Sequence, residues 1–426
     1  MWDFSTDPEL QEKLDWMKAF VREEVEPLDL VWADRTYRPH APEVRRVVAP
    51  LQQQVKERGL WACHLGEDLG GQGYGQVPLA LMNEILGRSG WAPLVFGTQA
   101  PDTGNAEILA AYGSEDQKAK YLRPLLDGEI FSSFSMTEPH AGSDPSMFTC
   151  RAWREGEDWI IDGEKFFSSN LRSAAFAIVM AVTSPDAPPG GRMSMFLVPT
   201  DTPGIEIIRD VGLMWEPIGE GLHAHVRYDH VRVPAEALLG GEGKAFEIAQ
   251  RRLGGGRIHH AMRTVGMCNR AFEMMCERVL SRSTQGSLLA DKQLVQQQIA
   301  QSFIQLQQYR LLVLYTAWLI DQSSTKEART FIAACKVEAE RVLHDVVLRA
   351  MHVHGALGMS NLMPFGRLWA LAPMMGIMDG PTEVHEMTVA RRVLRDFAPS
   401  KGLWPSQFLP DRIAAARAKL DDLLGD

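Results

Sequence analysis

"DWIIDGEKFFSS", residues 158–169, decides how this chain divides. Apolar and β-forming residues crowd it, and Asp162-Gly163 at its centre is a strong two-residue turn signal. The stretch therefore reads as a β-hairpin. Strand-like segments follow it: "RMSMFLVPT" at 192–200, "GIEIIRD" at 204–210 and "AHVRYDHVRVP" at 224–234. In the last, Val226, Tyr228, Val231 and Val233 alternate with one slip, which predicts a bulge. Short strands with no helices between them predict a sandwich or barrel.

On either side the period changes from two to 3.6. "PELQEKLDWMKAFVREEVEPLD" (8–29) places Leu10, Leu14, Met17 and Val21 on one helical face, with Pro27 as the predicted end. "GGQGYGQ" (70–76) reads as a loop. "VPLALMNEILGRSG" (77–90) and "GNAEILAAYGSEDQKAKYLRPLLDG" (104–128) read as helical. After Gly243, four long stretches carry apolar residues three and four apart: 245–253, 259–283, 292–322 and 326–354. They predict a four-helix bundle. "PDRIAAARAKLDDLLGD" (410–426) predicts a short amphipathic helix. The expected fold is a multidomain α+β chain. It comprises an N-terminal helical domain (1–130), a middle β-barrel-like domain (131–240), a C-terminal helical bundle (241–398) and a helical tail (399–426).

The chain has 426 residues, 45% hydrophobic and 23% charged, with net charge −10. That composition is ordinary for a globular protein, and the negative balance argues against a nucleic-acid partner. Five scattered cysteines with no CxxC argue against a disulfide frame or a zinc site. The acidic opening is not a signal peptide, and the longest apolar run, 311–320, is too short to span a bilayer. The expected location is the cytoplasm.

Several nucleotide and metal patterns fail. "LGGQGYG" (69–75) lacks GxGxxG spacing, and "GGEGKAF" (240–246) is no P-loop. His352 and His354, like His259 and His260, face different ways on a helix, so no metal is expected.

Two segments invite chemistry. "FSMTEPHAGSD" (134–144) closes a strand in a polar loop, where Thr137, Ser143 and main-chain amides can present donors. "IMDGPTEVHEM" (377–387) places Asp379 before Gly380-Pro381 and a helix start. On residues alone, Asp379 is either a turn residue or a carboxylate held for chemistry.

Seven segments together resemble the acyl-CoA dehydrogenase superfamily. They are these two, "IDGEKFFSSN" (161–170), "VRVPAEALLGGEGKAF" (231–246), "RRLGGGRIHHAMRTVGMCNRAFE" (251–273), "RSTQGSLLADKQLVQQQIAQS" (282–302) and "AMHVHGALGMS" (350–360). The resemblance covers nearly the whole chain in order and spacing. It implies FAD between the β domain and the bundle. It implies α,β-dehydrogenation of an acyl-CoA thioester to a trans-2-enoyl-CoA, with Asp379 taking the α-proton and hydride passing to flavin N5.

Carried over residue by residue, the resemblance puts Phe134, Met136, Thr137, Gly142 and Ser143 on the isoalloxazine, with Ser143 also reaching the pantetheine of CoA. Phe167, Ser168 and Ser169 form a second flavin loop. Arg282 would bind the pyrophosphate of a neighbouring subunit's FAD, and Gln293, His352 and Gly355 the adenosine half. Pro381 and Glu383 also fall in the cofactor set. Arg257 and Gly380 would lie near the thioester. The implied partners are an electron-transfer flavoprotein and a second copy of the chain, as homodimer or homotetramer. The chain departs from the common pattern with Phe167 for Trp, Gln285 for Phe, His352 for Gln and Asp379 for Glu. Two other readings of the fold stay open: an oxidase acting on an acyl-CoA or a nitroalkane, and a non-catalytic FAD or acyl-CoA binding protein.

Overall fold

The computed structural model describes residues 5–32, 41–67 and 71–425. The first four residues and Gly70 of the 70–76 loop lie outside that range.

The N-terminal part is helical: α1 Pro8–Phe20, α2 Glu26–Val31, α3 Pro42–Glu57, α4 Gln76–Leu86, α5 Ala92–Val95, α6 Asp102–Tyr112, α7 Glu115–Gln117 and α8 Arg123–Asp127. The Asp7 side chain caps α1 by accepting the Leu10 N–H. Leu14, Met17 and Val21 are buried as their spacing predicts. Pro27 does not end the helical run. A π-turn over Val21–Val25 leads into α2, and Pro27 sits in its first turn, where its missing N–H costs nothing.

The middle part is one eight-stranded sheet. Its strands are β1 Ser132–Ser135, β2 Arg151–Glu155, β3 Asp158–Ser169, β4 Phe176–Val182, β5 Met193–Pro199, β6 Ile205–Val211, β7 His223–Val233 and β8 Leu238–Leu239. The order is β6-β7-β3-β2-β4-β5-β8, with β1 parallel to β4. The slip in β7 is a register shift between Tyr228 and Val231, as the pattern predicts. The predicted hairpin is displaced. Asp162-Gly163 lies inside β3, and the β2–β3 turn falls at 156–157. Gly163 is there for close approach, since a Cβ on it would stand 2.7 Å from Cys150 Cα.

β4 is buried at every position because it divides two cores. Phe176, Ile178 and Met180 pack with Ile108, Leu109 and Ile248. Ala177, Val179 and Ala181 pack with Trp159, Phe196 and Tyr228. The first set joins the sheet to the helical parts, which positions the candidate site.

The C-terminal part contains α9 Ala245–Ser281, a small hairpin of β9 Ser283–Thr284 and β10 Ser287–Leu288, α10 Gln293–Gln322, α11 Arg329–His354, α12 Ala356–Met359, α13 Phe365–Ile377 and α14 Thr382–Val393. The stretches 245–253 and 259–283, expected as two helices, are one helix of 37 residues. The bundle's remaining long helices are α10 and α11, with α13 and α14 packed on α11. Gly254, Gly255 and Gly256 run through the middle of α9. A Cβ would stand 3.1 Å from Thr325, 2.9 Å from Glu107 and 2.8 Å from Asp379 respectively. Each helical glycine costs about 1 kcal/mol against alanine, and here it admits a neighbour on each of three sides. The tail helix α15, Leu409–Leu424, is exposed along its length. Among the described residues, no helix is long and apolar enough to cross a membrane.

Candidate active site

Asp379 follows α13 and precedes α14, with a left-handed backbone, φ 58°. Three helices hold it there. Arg257 on α9 donates from Nε to the Asp379 carbonyl oxygen at 2.8 Å. Lys336 on α11 donates to the Met375 carbonyl, capping the end of α13. The Thr382 hydroxyl, opening α14, donates to Glu340 Oε2 at 3.0 Å. An aspartate in a left-handed conformation is uncommon, and here the surrounding bonds fix it.

The carboxylate lies over α9. Its Oδ2 is 3.6 Å from His260 Nε2, and only the missing side chain of Gly256 makes room for it. Burial pushes the His260 imidazole down to about 3, so the ring meets Asp379 as a neutral dipole. Burial likewise pushes Lys336 down to about 8 and His385 to about 4. His385 Nε2 is buried without a partner among the described residues. It would lie 2.9 Å from a Cβ on Gly380, so that glycine exists to clear it. Burial also pulls the Arg257 guanidinium below its ordinary value, and Asp379 opposes that pull. One carboxylate thus sits among cationic and imidazole groups, an arrangement suited to negative charge moving between the base and a bound anion.

The two predicted flavin loops meet. Phe134 lies at the end of β1 with Met136 and Thr137 just beyond it, and Phe167, Ser168 and Ser169, expected as a loop, are the last residues of β3. The Phe166 N–H donates to the Thr137 carbonyl at 2.8 Å, and the Ser135 and Ser168 hydroxyls are 2.8 Å apart. The Tyr228 hydroxyl donates to Ser135 at 2.9 Å. Lys165, fully buried, donates to the Met136 carbonyl at 2.8 Å and to Glu138 at 2.9 Å. Burial alone would raise the Glu138 carboxyl. Lys165 and the N–H groups of Thr149 and Cys150 outweigh that and hold it below the usual range. Phe167, with φ 56° and 44% exposed, offers an aromatic face beside Phe166 and His223. Gly142 and Ser143 are exposed at the rim, and a Cβ on Gly142 would touch nothing nearer than 3.7 Å. The exposed Phe167 ring, the part-exposed Thr137 and the exposed Gly142-Ser143 rim at two joined strand ends fit a planar, hydrogen-bonding cofactor.

A groove of about 420 Å³ flanks the α9 glycines, lined in part by His64, Glu107, Arg251, Gly255 and His259. Burial pushes the Glu107 carboxyl up to about 7.

Other predicted residues lie elsewhere. Arg282 caps the far end of α9, 26 residues beyond Gly256, which is about 39 Å at helical rise. Gln293, His352 and Gly355 are exposed near that end of the bundle, not beside Asp379. Pro381 and Glu383 open α14, next to the site.

The chain belongs to the acyl-CoA dehydrogenase family. Family models for the N-terminal, middle and C-terminal domains of acyl-CoA dehydrogenases match residues 7–129, 133–221 and 243–394. The chain is 44% identical over 355 residues to a probable acyl-CoA dehydrogenase, FadE2, of Mycobacterium tuberculosis, covering 82% of this chain and 86% of that one. It is 38% identical over 398 residues to acyl-CoA dehydrogenase family member 11 of Rattus norvegicus, covering 91% of this chain but 51% of the rat protein. It thus spans about half the length of that relative. Among solved structures, one described as an acyl-CoA dehydrogenase from Mycobacterium abscessus matches with a TM-score of 0.85 at 37% identity, covering 93% of this chain and 100% of that one. Butyryl-CoA dehydrogenase from Megasphaera elsdenii matches with a TM-score of 0.79 at 26% identity, over 92% and 100%. The fold of helices, sheet and helices is that of the family, whose members are FAD-dependent oxidoreductases acting on acyl-CoA.

Four site residues escape the sequence reading: Arg252, His260, Lys336 and His385. Arg252, Gly256 and His260 recur every four residues, so one continuous helix places them on one face. Splitting the segment at its glycines hides that face.

Proposed function

We propose that this acyl-CoA dehydrogenase removes the α-proton of an acyl-CoA thioester with Asp379 and yields a trans-2-enoyl-CoA. The observation that carries the reading is the seat of Asp379: a carboxylate with a fixed left-handed backbone, over a helix glycine, among basic side chains. Bound FAD would supply the two-electron acceptor for the β-hydrogen.

The chain's own residues do the rest. Arg257 and Lys336 fix the main chain around Asp379, so the carboxylate pays little reorganisation when it takes the proton. The N-terminus of α14 begins just beyond it, and its dipole favours negative charge on the thioester oxygen. Phe134, Met136, Thr137, Phe167, Ser168 and Ser169 hold the cofactor ring, with Gly142 and Ser143 at the rim. Ser143, Arg257 and Gly380 contact the substrate.

The distance along α9 supports an oligomer, in which Arg282, Gln293, His352 and Gly355 serve a partner's FAD. The electron acceptor in this reading is an electron-transfer flavoprotein. A monomer by light scattering that still holds FAD tightly would contradict the shared site.

The test is anaerobic bleaching of the flavin by a panel of acyl-CoAs. Asp379→Asn is expected to keep FAD and acyl-CoA binding and lose at least about 10²–10⁴-fold in bleaching rate. Bleaching by the Asn variant at the wild-type rate refutes Asp379 as base. No bleaching by any acyl-CoA favours a binding protein, and peroxide formed in air at the turnover rate favours an oxidase.

A further inference from the structure

The face of α9 under Asp379 carries Arg252 one turn before Gly256 and His260 one turn after it. Arg252 is 9% exposed and lies in a corridor opened by Gly104, where a Cβ would stand 2.9 Å from Arg252 Cγ. A buried chain of bonds orients it. Asp102 Oδ1 accepts the Ser132 N–H at 2.8 Å and the Ser132 hydroxyl at 2.5 Å. Ser132 Oγ accepts from Asn105 Nδ2 at 2.9 Å. With its amide nitrogen so engaged, Asn105 turns its oxygen to Arg252 Nε at 2.9 Å. The guanidinium then lies 3.9 Å from the centre of the Phe134 ring, at the start of the first flavin loop.

Five groups face Asp379 from three helices: Arg252, Arg257 and His260 on α9, Lys336 on α11 and His385 on α14. Burial keeps both imidazoles neutral. Arg257 and Lys336 are bonded to main-chain carbonyls of the 375–379 segment. Arg252 bonds instead to the Asn105 side-chain amide and, at 3.5 Å, to the Pro101 carbonyl, and stacks on the Phe134 ring, so it has no bond to the 375–379 segment and its charge acts on Asp379 through space. Asp102 and Glu107 on α6 also act on the Arg252 charge.

We propose that Arg252 is a positioning residue for the dehydrogenation: it holds a fixed positive charge one helical turn from Gly256, over which the Asp379 carboxylate sits, and ties that charge to the strand that leads into the proposed flavin loop. The proposal rests on Asp379 being the base. A cation there favours the ionised carboxylate before proton transfer, and favours the anion that forms on the substrate afterwards.

The test compares Arg252→Met, which keeps a buried stem against Phe134, with Arg252→Lys, which restores the charge. Asp379→Asn is the control. Arg252→Met is expected to keep bound FAD and its acyl-CoA affinity, with a melting transition lowered only by the loss of the Asn105 bond, while flavin reduction slows on the order of 10²-fold. The acid limb of its rate profile should move to higher pH, and Arg252→Lys should recover most of the rate and return the limb. The proposal is overturned if Arg252→Met reduces flavin at the wild-type rate with an unmoved profile, or if Lys does no better than Met. It is also overturned if rate, FAD and melting transition fall together while the remaining activity keeps the wild-type profile, the mark of a structural role. Should Arg252→Met fail to fold, Arg252→Gln, which keeps a donor for Asn105, is read by the same criteria. If Asp379→Asn bleaches normally, the base reading itself fails. If it is dead while Arg252→Met behaves as wild type, only the role of Arg252 falls.

Discussion

Asp379 Oδ2 lies 2.8 Å from the point where a Cβ on Gly256 would stand. Carboxylate and helix backbone are therefore in direct register, and position 256 sets where the candidate base sits.

Gly256→Ala separates stability from chemistry. In a helix interior, alanine gains up to about 1 kcal/mol over glycine. The added methyl also drives the Asp379 carboxylate off its seat, and a displacement near an ångström costs on the order of 10²-fold in rate. The expected outcome is a melting transition no lower than wild type and flavin reduction on that order slower, with FAD retained. Unchanged reduction would show that the carboxylate works from another position.

Asp379→Glu adds one methylene to an arm that already touches α9. Intrinsic basicity differs by only about 0.4 pKa unit between the two acids, so geometry should dominate. Stopped-flow bleaching is expected to show residual activity, slower on the order of 10²-fold. Full activity would mean that the seat is looser than its contacts indicate.

Lys165 and Glu138 form an ion pair with both side chains almost wholly buried, 0% and 1% exposed. Lys165→Met leaves the Glu138 charge without its cation and frees the Met136 carbonyl. Breaking such a pair costs about 3–5 kcal/mol. Urea unfolding should show that loss, and FAD should dissociate more readily because the proposed first flavin loop loses its tie to β3. A variant as stable as wild type would contradict the pairing.

His64 is buried, and neither ring nitrogen has a hydrogen-bond partner among the described residues. Burial pushes it from 6.5 down to about 3. As pH falls below 6.5, the unfolded chain takes up this proton and the folded chain does not, so the group's contribution to stability is lost between 6.5 and 3. His64→Phe removes that loss. Its stability relative to wild type should improve by about 1.4 kcal/mol per pH unit below 6.5. Urea unfolding at pH 7.5 and pH 5.0 measures the change. An identical gap at both values would mean that His64 titrates as an exposed imidazole.

The order of helices, sheet and helices is written in local pattern. Leu14, Met17 and Val21 repeat at helical spacing, and the β7 slip shows between Tyr228 and Val231, because both periods come from the backbone and need no distant partner. The polar and small residues at 134–143 and 167–169 are a local signal too, but the second stretch, expected as a loop, is the end of β3. Tertiary contact decided the rest. Asp162-Gly163 has a turn's composition yet stays inside β3, because Cys150 crosses too closely for any side chain at 163. Gly254, Gly255 and Gly256 look like a helix break and are three close approaches, to Thr325, Glu107 and Asp379. The place of Asp379 depends on Arg257 and Lys336, 122 and 43 positions earlier in the chain. Their side chains meet it only when α9, α11 and α13 pack, so no window of sequence can show the charge it experiences.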